Sequence, residues 1–335
     1  MADTRKGLKL GTTLYSLTTE FHSRQYSFEQ LIRRVAKENL GPGLEVVGFQ
    51  SIRGFPQISD DFAARFRDLI QETGLVPSCL AVNADVAINP DRLMDTAEIV
   101  AYHVPQLRAA AKLGFPVIRF QYPAGPEAIR QLVPLAEELG IRMGLEIHAP
   151  HHVQHPDVLA FREMYERVGS QVLGFIPDFG ASSRRVPPSF IDFFRHYVRV
   201  PEEVIRLGLD IWESDIPPHS KRTEFFTRAR AIGATEQQMV EMSPIFGLFS
   251  RQPPEAWAEI MPRVVHIHGK FFDFDENGDE VTVDYGRLLP TFVNGGFDGY
   301  MSSEYEGHHF TDSDGFDKLR RHHALCRRIL ATLVD

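Results

Sequence analysis

The chain has 335 residues, of which 43% are hydrophobic and 24% are charged, and its formal net charge is −9. This length and composition suit one large folded domain or two small ones and exclude a disordered chain. Basic residues form only short clusters, such as Arg184–Arg185 and Arg320–Arg321. Because phosphate binding needs a concentrated basic face, we expect no nucleic-acid partner.

The compartment is predicted from cysteine usage and from apolar segments. Two cysteines, Cys79 and Cys326, are too few for a disulfide framework and are typical of a reducing compartment. The opening residues MADTRKGLKL lack the long apolar core of a signal peptide. No apolar run approaches the ~18 residues of a membrane-spanning helix. We therefore expect a cytoplasmic protein with no membrane partner.

Short apolar segments alternate with amphipathic segments from the start of the chain. Individual boundaries carry their own signals, with Ser27 before a helix, Gly74 after one and Pro126 in a first turn. The pattern predicts strands at 8–17, 43–50, 75–83, 117–122 and 141–148, and helices at 27–39, 60–74, 91–113 and 126–140.

The alternation continues in the second half of the chain. It predicts a helix at 156–168, strands at 172–180, 263–271 and 299–307, and helices at 284–296 and 316–333. Eight strands separated by helices predict a parallel sheet that closes into a (β/α)₈ TIM barrel. The alternative, an open doubly wound sheet, would carry a glycine-rich first turn if it bound a dinucleotide, and LGTTLYS is no such turn. We predict a single barrel domain over 1–335.

The segment 181–254 interrupts the alternation after the sixth strand. It contains aromatic-rich stretches such as PPSFIDFFRHYVRV, and we expect it to form several helices. It leaves the barrel at the end where active sites are built. The interpretations are a lid, a substrate wall, a docking surface, or a decoration without a part in the chemistry.

Chemically active side chains collect at the C-terminal ends of the last four strands. Residues two apart in a strand share a face, and the strand ends of a barrel converge on one mouth. The positions are Glu146 and His148 on the fifth strand, Asp178 on the sixth, His266, His268 and Lys270 on the seventh, and Glu304 and Glu306 on the eighth.

Three carboxylates at one mouth, those of Glu146, Asp178 and Glu304, would repel one another unless a divalent cation lay between them. With the imidazole of His268 they form an oxygen-rich set that suits Mn²⁺ or Mg²⁺ better than a structural zinc site does. Such a set leaves positions open for water or substrate. Co²⁺ also accepts these ligands. The alternative is a set of salt-bridged interior charges with no metal.

The order of Glu, Asp, His and Glu on strands five to eight, with HGK at 268–270, resembles the xylose isomerase-like barrel superfamily of sugar isomerases and epimerases. By that match His268 is a metal ligand and His266 lies one inward position deeper. One position departs from the superfamily. Many members have a histidine three residues after the strand-six aspartate, where this sequence has Ala181, and this argues against plain epimerisation.

A closer resemblance covers nearly the whole chain. The segments GLEIHAP, PDFG, HIHGKFFDFDENGDE and GYMSSEYEG, in this order, resemble the large (α) subunit of the C-glycoside deglycosidases. The resemblance implies cleavage of the sugar–carbon bond of 3-oxo-C-glycosides with release of the aglycone. It also implies a divalent metal, often manganese, and a small β-sheet partner subunit in a hetero-oligomer.

A mechanism follows from the position of His148 beside Glu146. We expect His148 to remove the C2 proton next to a metal-polarised 3-oxo group, after which the enolate collapses and expels the aglycone carbon from C1. Lys270 and Glu306 are predicted to position the sugar. The histidines beyond Pro150 are predicted to be solvated loop residues without a metal, with one of them lining the pocket as the alternative. They are His151, His152 and His155.

Three rival functions stay open. The first is a metal-dependent isomerase or epimerase of ketose or inosose type, and the second is a non-catalytic sugar-binding or assembly subunit. The third, a metal-dependent endonuclease on the same fold, has less support because such enzymes carry more histidine ligands and a basic face.

Overall fold

A computed structural model describes residues 7–311 and 313–333, and eight parallel strands lie at its centre. The strands are Lys9–Thr13 (β1), Gly43–Val47 (β2), Val76–Ala81 (β3), Val117–Phe120 (β4), Arg142–Ile147 (β5), Leu173–Pro177 (β6), Ile267–Phe271 (β7) and Tyr300–Tyr305 (β8). They pair in the order β6-β5-β4-β3-β2-β1-β8-β7. Parallel bridges from Phe175 to Val264 and from Asp178 to His268 join the two end strands. The predicted (β/α)₈ barrel is confirmed.

Helices follow the strands and form the outer layer of the barrel. They are Thr18–His22 (α1), Phe28–Lys37 (α2), Gly48–Ser51 (α3), Asp60–Thr73 (α4), Thr96–Leu113 (α5), Pro126–Leu139 (α6), Pro156–Val168 (α7), Pro188–Phe193 (α8), Glu202–Glu213 (α9), Pro218–Ala231 (α10), Glu236–Met242 (α11), Ile245–Leu248 (α12), Tyr285–Asn294 (α13) and Gly315–Ala331 (α14). Among the described residues, no helix is both long and apolar enough to cross a membrane.

Local hydrogen bonds set the boundaries where they differ from the sequence prediction. The helix predicted from residue 91 begins at Thr96, because the Asp95 side chain accepts from Glu98 N and the Glu98 side chain accepts from Asp95 N. The strand predicted over 8–17 ends at Thr13, whose hydroxyl accepts from Tyr15 N and starts a short 3₁₀ turn. Such caps compete with continued strand or helix.

Two active-site positions lie just beyond their strands. β5 ends at Ile147 and β6 at Pro177, so His148 and Asp178 are the first residues of the loops that follow. Asp178 Oδ1 accepts from Gly180 N at 2.7 Å and starts another 3₁₀ turn. The side chains at the barrel mouth are therefore held partly by strand pairing and partly by loop hydrogen bonds.

Five helices, α8 to α12, lie between β6 and β7. This segment packs on the barrel through aromatic rings. The Phe190 ring centroid lies 5.1 Å from that of Phe249, and Phe249 lies 5.1 Å from Phe272, which directly follows β7. Trp257, just after the segment, donates from Nε1 to Ser182 Oγ at 3.0 Å, so the two ends of the segment are held together. The description of residues 181–254 as an insertion into one barrel domain stays a prediction.

Candidate active site and metal centre

The four predicted metal ligands meet at the C-terminal mouth of the barrel. Glu146, Asp178, His268 and Glu304 each offer one ligand atom, and these atoms all lie within 4.8 Å of one another. All four residues are buried. They come from β5, the end of β6, β7 and β8, so the convergence is a product of barrel closure between β6 and β7.

His268 is held between carboxylates on both of its ring nitrogens. Nδ1 lies 2.7 Å from Glu146 Oε1 and 3.4 Å from Glu304 Oε2, while Nε2 lies 2.9 Å from Glu45 Oε1. Burial opposes protonation, but Glu304, Glu45 and Glu146 together raise the pKa of His268 well above its ordinary value. Nδ1 is therefore the nitrogen that faces the cluster, and its surroundings favour a positive charge.

The carboxylates of the cluster respond differently to the same surroundings. Burial raises the pKa of Glu304 to about 8, against the opposing effect of His268 and Lys270. Burial also acts on Glu146, but Arg119 and His268 hold the pKa of this carboxyl well below its usual range. Arg119 Nε lies 3.6 Å from Glu146 Oε2. Glu146 is therefore stabilised as an anion, whereas burial favours the neutral form of Glu304.

The donor set and its charge fit a divalent cation. Among the described residues, Glu304 Oε2 makes no hydrogen bond, although it is buried. Five carboxylates surround the centre and, among the described residues, outnumber the two permanently charged cations and the protonated His268 beside them, which favours binding of a further cation. Three carboxylates and one imidazole are ligands that Mn²⁺ and Mg²⁺ accept. The carboxylates are those of Glu45, Glu146, Asp178, Glu304 and Glu306, and the cations are Arg119 and Lys270.

Lys270 and Glu306 lie on one side of the cluster. Lys270 Nζ is 2.7 Å from Asp178 Oδ2 and 2.8 Å from Glu306 Oε2. Glu306 Oε1 accepts a hydrogen bond from the Tyr15 hydroxyl at 3.2 Å. Gly180 makes room for this arrangement, because a Cβ there would lie 2.9 Å from Lys270 Cδ. The Lys270 ammonium and the Glu306 carboxylate thus lie together beside the candidate metal centre.

His148 lies at the edge of the same cluster. Its Nε2 is 3.7 Å from Asp178 Oδ2, and its side chain is 27% exposed, so a small molecule in the mouth can reach it. Its Nδ1 lies 2.5 Å from the carbonyl oxygen of Ala149 and acts as the donor in that contact. This hydrogen bond places the proton on Nδ1 and leaves the lone pair of Nε2 facing the cluster, as a general base requires.

Sequence reasoning missed Glu45 and Tyr15. Glu45 on β2 contacts two histidines, since its Oε2 lies 3.0 Å from Nε2 of His266 in addition to the contact with His268. His266 Nε2 is also 2.9 Å from Ser302 Oγ, so His266 lies deeper in the barrel than His268, as predicted. The signal for Glu45 was a lone acidic residue within the apolar run GLEVV.

The loop histidines correct one expectation. His151 was predicted to be solvated, but it is buried, because its ring packs 4.3 Å from Tyr122 and 4.2 Å from His155. His151 Nε2 lies 3.2 Å from Asp157 Oδ2. His151, His155 and Asp157 form a second group close enough to hold a cation, separate from the four residues at the mouth. His152 is half-buried.

Solved structures with the same architecture include a sugar epimerase and a xylose isomerase-like barrel. The 3-keto-D-glucoside 4-epimerase of E. coli aligns with a TM-score of 0.56 at 14% identity, covering 96% of this chain and 99% of that one. A xylose isomerase-like TIM barrel protein from Mycobacterium smegmatis, in complex with magnesium, aligns with a TM-score of 0.54 at 13% identity, covering 98% of each chain. The fold is that of the xylose isomerase-like barrels.

Sequence relatives define the family more narrowly. The 3'-dehydrocarminate deglycosidase alpha subunit of Microbacterium sp. is 44% identical over 335 residues, covering 97% of this chain and 96% of the relative. The C-glycoside deglycosidase alpha subunit of Arthrobacter globiformis is 42% identical over 332 residues, covering 96% and 90%. No family model matches the sequence. The chain belongs to the C-glycoside deglycosidase alpha subunit family, which confirms the resemblance drawn from its motifs.

Proposed function

We propose that this protein is the catalytic subunit of a metal-dependent C-glycoside deglycosidase. Its reaction is cleavage of the carbon–carbon bond between sugar C1 and the aglycone in 3-oxo-C-glycosides. The observation that carries the proposal is the buried group of three carboxylates and one imidazole with His148 Nε2 at its edge, 3.7 Å from Asp178. Family membership supports the substrate class.

Glu146, Asp178, His268 and Glu304 would hold a divalent cation. Mn²⁺ is the first choice, with Mg²⁺ and Co²⁺ as alternatives, because the set is rich in hard oxygen donors. A bound cation of this kind polarises a carbonyl oxygen and so makes the C–H bond beside that carbonyl more acidic.

The remaining steps are assigned to three side chains, those of His148, Lys270 and Glu306. His148 Nε2 takes the proton from C2, and the electron pair of that bond forms the double bond between C1 and C2. The bond from C1 to the aglycone carbon breaks, and the electron pair of this second bond leaves with the aglycone carbon, which takes up a proton from water. Lys270, held between Asp178 and Glu306, donates to sugar oxygens, and Glu306 accepts from a sugar hydroxyl.

A second subunit completes the proposal. Relatives at more than 40% identity are named alpha subunits. We therefore propose that this chain works with a small β-sheet subunit in a hetero-oligomer, with the metal centre contributed by this chain alone.

The test is aglycone release from a 3-oxo-C-glucoside, followed by chromatography. The chain is assayed alone and with the co-expressed small subunit, each in Mn²⁺ and in excess chelator. We expect release that depends on the metal and reaches its full rate with both subunits. Bound metal without release under any of these conditions would contradict the proposal, and turnover of ketoses would then favour an isomerase. Against that rival, Ala181 offers no polar side chain after Asp178.

A further inference from the structure

A second group of metal-binding side chains lies in and just after the loop that begins with His148. His151, His155 and Asp157 each offer one ligand atom, and these atoms all lie within 4.8 Å of one another. We call these three residues the loop site, and none of them belongs to the four candidate ligands at the barrel mouth. We propose that the loop site binds Zn²⁺ and thereby restrains the loop. The inference is independent of the proposed function, because it concerns a different site and a different metal.

Two ring nitrogens of the loop site face the same carboxylate oxygen. Asp157 Oδ2 lies 3.2 Å from Nε2 of His151 and 3.6 Å from Nδ1 of His155. A tetrahedral zinc ion, with bonds of about 2.0–2.1 Å to nitrogen and oxygen, separates its ligand atoms by about 3.3–3.4 Å. These two contacts therefore already have nearly the spacing that zinc requires.

The contact between His155 and Asp157 has no proton to join its two atoms. His155 is the N-cap residue of α7, and its Nδ1 accepts from Asp157 N at 3.3 Å. Because Nδ1 accepts this hydrogen bond, it carries a lone pair, and the same nitrogen faces Asp157 Oδ2. An unprotonated imidazole nitrogen and a carboxylate oxygen are both acceptors. Their contact becomes favourable when a cation lies between them.

The donors of the loop site suit zinc better than they suit the metals expected at the barrel mouth. Two imidazoles and one carboxylate bind Zn²⁺ well, whereas Mn²⁺ and Mg²⁺ prefer sites richer in oxygen. Burial lowers the pKa of His151 and that of His155, which favours the neutral form that binds metals. The three side chains leave the fourth position of a tetrahedral zinc ion open to water.

The loop site is open to solvent on one side and held by packing on the other. The side chain of Asp157 is 52% exposed and that of His155 is 25% exposed, so an ion can enter from solvent. The His151 side chain is only 11% exposed, and its ring centroid lies 4.3 Å from that of Tyr122. A ring already held by packing loses little side-chain entropy when it binds a metal.

A zinc ion at this position would restrain the segment that carries the candidate base. His151 N donates to the carbonyl oxygen of His148 at 2.9 Å, and His155 N donates to that of His152 at 2.8 Å. The two histidine ligands thus belong to successive turns of the backbone, and Asp157 belongs to the first turn of α7. Bonds from all three residues to one ion would join the turn after His148 to this helix.

The experiment counts the zinc ions bound to the complex of both subunits, prepared without a histidine tag. Wild type and variants are dialysed against one zinc buffer, and bound metal is measured by mass spectrometry. His155→Asn removes one imidazole and keeps an N-cap acceptor for Asp157 N. His151→Phe removes the other imidazole and keeps a ring against Tyr122. The control is His196→Asn, at an exposed position outside the loop site.

We expect wild type and His196→Asn to bind about one zinc ion more per chain than His155→Asn and His151→Phe bind. Zinc at the barrel mouth adds equally to all four proteins, because its ligands are unchanged, so only the loop site contributes to the difference. Dialysis against Mn²⁺ should give the same metal content in all four. Equal zinc content in wild type and both loop variants would overturn the inference, and so would a Mn²⁺ content that falls in these variants.

Hydrogen exchange tests whether the zinc ion restrains the loop. At a free zinc concentration about ten times the dissociation constant, exchange in the peptide 149–157 should slow about tenfold more in wild type than in His155→Asn. His196→Asn should respond to zinc as wild type does. Bound zinc with equal slowing in wild type and His155→Asn would show that the ion does not restrain the loop, which would also overturn the inference.

Discussion

Glu45 Oε1 lies 2.9 Å from Nε2 of His268, and this contact decides which ring nitrogen of His268 faces the barrel mouth. With Nε2 donating to Glu45, Nδ1 is turned toward Glu146 and Glu304, where it would offer its lone pair to a bound cation after losing its proton. A carboxylate behind a metal-binding histidine fixes its tautomer and orientation. Glu45 thus supports the candidate centre from β2, on the side of the ring away from the other ligands.

Substitution Glu45→Gln should weaken metal binding. Glu45 uses Oε1 for His268 and Oε2 for His266. In Glu45→Gln the side-chain oxygen can still accept from one of these two histidines, but the NH₂ group faces the other. We expect the affinity for Mn²⁺ to fall by about 10- to 100-fold, measured by competition with a chelator. The control is Glu20→Gln, a buried glutamate whose Oε1 accepts from Gly315 N. Equal affinities in the two variants would contradict the role.

Substitution His148→Ala should separate metal binding from turnover. The imidazole lies at the edge of the cluster and contributes no ligand to the four-residue group. We expect full metal content with turnover of the 3-oxo-C-glucoside reduced by about 10²-fold or more, the loss usual for a general base. His196→Ala, at an exposed position outside the four-residue group, is the control and should keep its activity. Wild-type turnover in His148→Ala would rule out His148 as the base.

The closeness of the four candidate ligands could be predicted from the sequence, because it follows from two general rules of strand and barrel geometry. Alternation along a strand places Glu146, His268 and Glu304 on inward faces, and a parallel barrel brings the ends of its strands to one mouth. Neither regularity depends on side-chain contacts. This explains why the barrel and the closeness of these residues, with Asp178, were predictable without coordinates.

Glu45 and Tyr15 were not predictable in the same way, because their roles depend on which strands lie across the barrel. Glu45 meets His268 from β2, over 223 positions of sequence. Tyr15 reaches Glu306 from the turn after β1, which begins where the Thr13 hydroxyl accepts from Tyr15 N. The burial of His151 likewise depends on Tyr122, which follows another strand. Local pattern carries no information on such contacts.

Substitution Glu280→Gln should destabilise the loop that follows β7. Both carboxylate oxygens of this buried residue accept backbone N–H groups, from Phe272 and Asp273 on Oε1 and from Thr282 and Val283 on Oε2. A glutamine places its NH₂ group against two of these donors in either orientation. We expect the free energy of unfolding to fall by about 1–3 kcal/mol, measured by urea denaturation. Glu276→Gln, exposed in the same loop, should change it little. Equal free energies of unfolding in Glu280→Gln and Glu276→Gln would show that the Glu280 carboxylate does not stabilise this loop.

Buried His323 should make the protein less stable in acid. Burial lowers the pKa of His323 to about 3, whereas an unfolded chain titrates at about 6.5. Below about pH 6.5 the unfolded state binds a proton that the folded state does not bind until about pH 3. The stabilising contribution of neutral, buried His323 is therefore complete above about pH 6.5. It is lost as the pH falls from about 6.5 to about 3, by up to about 1.4 kcal/mol per pH unit.

The contribution of His323 can be isolated by substitution. His323 Nε2 lies 3.3 Å from Thr12 Oγ1, and His323→Gln keeps a side chain able to hydrogen-bond there without titrating. Urea unfolding of metal-free protein is compared at about pH 6.5 and about pH 5, so that the metal ligands do not contribute through metal release. We expect the loss of stability over this interval to be about 2 kcal/mol smaller in His323→Gln than in wild type. His22→Gln, at an exposed position, should lose as much as wild type. An unchanged loss in His323→Gln would show that the acid sensitivity arises elsewhere, with buried His322 the next residue to substitute.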